Sequence, residues 1–125
     1  LAAPTPLNAK PFGGQRRDMR DDPQKLQRRH IRELATLAYE RELARELGAV
    51  EVEFSRWRRG EINVHDLSDL IHQFHDGTAR RLYSIYAGDV LEVALGSAIA
   101  RGVLTENEAS PDIMEALRGH IEFAR

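Results

Sequence analysis

The chain has no cysteine among its 125 residues. That excludes thiol nucleophiles, thiolate-bound metals and disulfide staples together. Aromatic residues amount to 6%, with one Trp, three Tyr and four Phe, and they are not interleaved with the basic residues as a single-strand nucleic-acid platform requires. No unbroken apolar run approaches the roughly twenty residues of a membrane-spanning helix. A dominant charge is missing too. The 20 Asp+Glu against 18 Lys+Arg leave a net charge of −2, which excludes a uniformly basic coat for nucleic acid. G-x-S-x-G, H-E-x-x-H and glycine-rich phosphate loops do not occur, so no catalytic template has a foothold and no cofactor is expected. What is present is a 42% hydrophobic chain, long enough for one core without staples and expected to be cytoplasmic.

Two regions differ in composition. Residues 1–22 form the first, an extended tail in which Pro4, Pro6, Pro11 and the pair Gly13-Gly14 oppose both helix and strand. Residues 23–125 form the second, a single all-α domain. Charge follows a similar division: residues 1–32 hold eight basic side chains against three acidic ones, a surplus of five that leaves −7 on the rest.

Past the tail, apolar residues recur at three and four rather than at two, the period of helix. Asp22-Pro23 is a start signal, because Asp accepts orphan amide protons and Pro fits a first turn that needs no donor. The first helix should stop at Gly60. Its stripe changes direction on the way. At about 100° per residue, Ile31, Leu34, Ala35 and Ala38 share one face, while Leu43, Leu47, Val50, Phe54 and Trp57 share another, rotated by about 120°. Either the helix bends near Gly48 or the early face packs on something outside the local fold, most simply a second copy of the chain.

Asn63 with Asp66 three residues on has the form of a capping box and opens a second helix, whose Leu67, Leu70, Ile71, Phe74, Leu82 and Ile85 line one narrow face. Gly77 is a weak point in it. With a short link between them, the two helices are expected to form a long antiparallel hairpin. Two shorter helices follow. Asp89 should cap the third, which has almost no polar face; Gly102 ends it, Thr105 to Glu108 can box a single turn, and Ser110-Pro111 starts the last helix on Ile113, Leu117, Ile121 and Ala124.

Three functional readings arise. The leading one is a non-catalytic protein-interaction or oligomerising module, a homodimer first of all, using Ile31, Leu34, Ala35 and Ala38 as its interaction face. A second is a metal-dependent enzyme. His65, Asp69, His72 and Asp76 lie on one face at spacings of four, three and four, where helix neighbours can share a divalent cation. That face is opposite the apolar stripe, where solvent is also expected. The dipeptide His75-Asp76 occurs in HD-type phosphohydrolases, but two residues carry no assignment, and His75 at the flank of the stripe is expected to pack half-buried. A third reading is salt-dependent nucleic-acid binding through Arg16, Arg17, Arg20, Lys25, Arg28, Arg29 and Arg32. The last helix is not a DNA reader: residues 105–125 carry five acids against two arginines.

Overall fold

The structure is a computed structural model and describes residues 22–125. The tail expected over residues 1–22, with Arg16, Arg17 and Arg20, lies outside that range except for Asp22. Every regular element among the described residues is helical, and the protein is all-α. Helix α1 spans Pro23–Arg58, α2 Val64–Gln73, α3 Arg80–Ala87, α4 Leu91–Ala100 and α5 Pro111–Ala124. A π-helical turn, Phe74–Ala79, joins α2 to α3, and one 3₁₀ turn, Glu106–Glu108, precedes α5.

The helix ends follow local chemistry. Asp22 accepts the Gln24 amide at 3.0 Å with Pro23 in the first turn. Asn63 and Asp66 complete their box in both directions. Gly60 and Gly102 take positive φ, 78° and 81°, at turns that a side chain would strain. Ser110 accepts the Ile113 amide, and Thr105 with Glu108 boxes the 3₁₀ turn. One expected cap is not made: Val90, not Asp89, occupies the position before α4, and no side chain bonds there. Helix α1 runs through Gly48 without interruption.

The core is built where α1 begins. Ile31, Leu34, Ala35 and Ala38 are buried with Tyr86 of α3, Leu95, Ala98 and Ile99 of α4, Leu104, and Ile113, Leu117 and Ile121 of α5. This corrects the expectation that the early α1 face looks away from its own chain. Helix α4 leaves the preceding rod at a bend of 115°, which carries it and α5 under that face. The physical reason is demand for cover: α4 is apolar nearly all round and α5 presents a continuous stripe, so both need a third helix.

Helix α1 also touches α2, the π turn and α3 in succession. There the π turn corrects a second expectation. It inserts about one residue into the helix and rotates everything after it by about 100°. Tyr86 therefore turns inward and is buried, whereas Ile85, expected on the inner stripe, is 40% exposed. His75, expected half-buried, sits in the π turn and is exposed.

Candidate functional site

The four residues proposed as an interaction face are spent inside the chain. Ala38 has no exposed surface and Leu34 has 6%, so this face is not free for a second copy. The later stripe on α1 is the one left partly uncovered. Leu47 is 48% exposed, Trp57 39%, and Ile71 on α2 40%. From residue 41 to residue 85, Leu67 alone is buried, and it stands apart from the main core.

The four candidate metal ligands do not converge. His72 and Asp76 meet at 2.9 Å, but no group of three or more His, Asp or Glu side chains that could hold a metal forms among the described residues. Helical rise explains this, since His65 and Asp76 are eleven residues apart and so separated by about 16 Å along the axis. All four are exposed. Of the basic residues, Lys25, Arg28, Arg29 and Arg32 fall on successive turns of α1 and are exposed together.

Two polar groups unforeseen in the sequence tie α1 to the later helices. In the first, Tyr86 donates its hydroxyl to Glu42, and Arg101 donates to the same carboxylate at 2.7 Å while its Nε bonds Ser97. Burial pushes the Glu42 carboxyl up, but hydrogen bonds from Arg101 and Tyr86 outweigh it and hold the group below its ordinary range. Burial, reinforced by Glu42, pushes the Tyr86 phenol up to about 12. In the second, Arg41 grips Glu108 with both terminal nitrogens, at 2.7 and 2.5 Å, and also bonds the Val103 carbonyl. The Arg41 guanidinium, joined by the Thr105 amide, holds the Glu108 carboxyl down at about 2.

A depressed folded-state carboxyl contributes stability above its unfolded value and loses it as pH falls through the folded one. For Glu108 that window runs from 4.5 down to about 2. Urea midpoints of the wild type should therefore fall as pH is lowered through this window. In Glu108→Gln they should start lower and fall less, and equal acid slopes in the two proteins would contradict the pairing.

Beside the Tyr86 network is a mainly apolar cleft of about 300 Å³, lined by Tyr39, Tyr83 and Tyr86, by Ala35, Ala87 and Leu91, and by Arg32 and Thr36. The chain contains three tyrosines, and all of them line this cleft. Tyr39 meets Tyr83 edge-on with ring centres 6.3 Å apart and Tyr86 at 6.4 Å.

These features define an all-α protein with a buried core at one end of its longest helix and a thinly covered helical pair at the other. No family model, curated protein or solved structure matches the chain. No single helix among the described residues is long and apolar enough to cross a membrane.

Proposed function

We propose that the chain is a self-associating helical module, and that the second half of α1 with α2 forms an antiparallel hairpin arm that docks on the arm of a second copy. The observation that carries this reading is the contrast in burial along α1. Its early stripe is covered by α4 and α5, whereas its later stripe faces the single rod of α2, the π turn and α3 and keeps Leu47 and Trp57 exposed. Two helices in contact bury one narrow line between them; a stripe about 100° wide needs a further neighbour. A second identical arm supplies two, completing a four-helix bundle about a two-fold axis, the commonest symmetry of homo-oligomers. Repacked as such a bundle, the arm gains the core that it lacks alone.

Light scattering at micromolar concentration tests this. The wild type should have about twice the 14.2 kDa mass of one chain. Leu47→Asp and Ile71→Asp should each weaken association at least about a hundredfold, because a carboxylate cannot be buried unpaired in an apolar interface, while far-ultraviolet dichroism stays helical. Phe123→Asp, at a side chain 91% exposed on the far element α5, should remain a dimer. A monomeric wild type, or a dimer indifferent to both arm variants, overturns the reading.

A further inference from the structure

We infer that the tyrosine cleft is a binding site for a small aromatic carboxylate, a ligand with one or two flat rings and a single acid group. Shape is the first argument. Ala35 and Ala87 contribute only methyl groups to a lining that also holds three phenol rings, and about 300 Å³ is left, the lower end of the range for small-molecule sites. Tyr39 and Tyr83 pack edge-on, the kind of contact that a flat aromatic body also prefers to make with phenol rings.

Charge is the second argument. Arg32 is exposed and lines the cleft; it also lines an adjoining hollow with Asp89 and Glu92, but none of the ion pairs among the described residues involves it. Lys25, Arg28 and Arg29 continue the positive edge along the same exposed stripe of α1. A guanidinium with its fork free recognises a carboxylate in two parallel hydrogen bonds. Polarity sorts the rest. The Tyr86 hydroxyl is engaged by Glu42 and Arg101, so Tyr86 offers the cleft its apolar ring, and Arg32 is the one charged residue of the lining. A ligand would therefore lay its rings against the tyrosines, with its carboxylate on Arg32. This site is independent of the proposed arm contact, since it lies where α1, α3 and α4 meet.

The test uses the full chain with ring-labelled tyrosine, whose three side-chain NMR signals are assigned by single Tyr→Phe variants. 2-Naphthoate should shift the signals of Tyr39, Tyr83 and Tyr86 together and saturably. Neutral 2-naphthylmethanol should bind about tenfold more weakly. Arg32→Gln, at an exposed position, should remove that preference and bring the acid down to the level of the alcohol, and Ala87→Phe should fill the cleft and abolish binding of both. Lys25→Gln should change naphthoate affinity less than twofold. The inference is overturned if naphthoate produces no saturable shift at millimolar concentration, if acid and alcohol bind alike to the wild type, or if Arg32→Gln leaves the preference intact.

Discussion

Gly96→Val should cost the protein about 3 kcal/mol of stability and broaden its thermal transition. At Gly96 the two C-terminal helices come into backbone contact. A Cβ added there would lie 2.5 Å from the His120 Cβ, 2.8 Å from the His120 carbonyl carbon and 3.0 Å from the Ile121 amide nitrogen. Two of those atoms belong to the main chain and cannot rotate away, so α4 and α5 must separate. Separation loosens Leu95, Leu104 and Leu117, which are among the most deeply buried side chains, and overpacking of this kind costs about 1–3 kcal/mol before the β-branched helix penalty is added. Gly48→Ala is the matched control. Nothing lies within 4 Å of the added atom at Gly48 in mid-α1, so it should stabilise by about 1 kcal/mol. Urea melts of the two variants should move in opposite directions; a neutral Gly96→Val would mean that α4 and α5 do not touch there.

Ala38→Asp should unfold the chain. Ala38 is completely buried among apolar side chains of α1, α4 and α5. An ionised carboxylate there would be fully desolvated among apolar neighbours, and the nearby Arg101 guanidinium is already engaged by Glu42. The penalty is at least about 4 kcal/mol, a large share of the roughly 5–15 kcal/mol that holds a domain together. The same substitution separates two packing schemes. Were Ala38 an intermolecular contact, the variant would be a folded monomer with normal helicity; as a member of the chain's own core it should lose both helicity and its cooperative melt. Leu47→Asp, one quarter of the helix further on, should show the reverse, with folding kept and association lost.

Between them these two residues show what could be read from amino-acid order. The stripe containing Ala38 was visible as a stripe, and its angular offset from the Leu47 stripe was correct in kind. The choice of which stripe stays inside was not visible. It depends on the path of residues 88–110, where a 115° bend returns α4 and α5 to the start of α1 instead of laying them along the later half. Gly96 was legible only as a small residue in an apolar helix, since its role comes from His120, which no local pattern connects to it. Glu42 with Arg101 and Arg41 with Glu108 are 59 and 67 residues apart, beyond any periodicity argument. The tyrosine cleft needs Tyr39 opposite Tyr83, and the phase of Tyr83 and Tyr86 was set by a π turn that a uniform helical period cannot anticipate.

The sequence by itself determined that residues 23–125 are helical and where most of the helices begin and end, Asp89 and the π turn excepted, because caps, left-handed glycines and N-terminal prolines act through bonds to residues two to four positions away. Only the tertiary structure decided which apolar stripe is core, which stays partly exposed and where three tyrosines gather. Those outcomes turn on how rigid rods meet across long sequence separations, and one turn with a different bend or one inserted residue in a helix changes every partner beyond it.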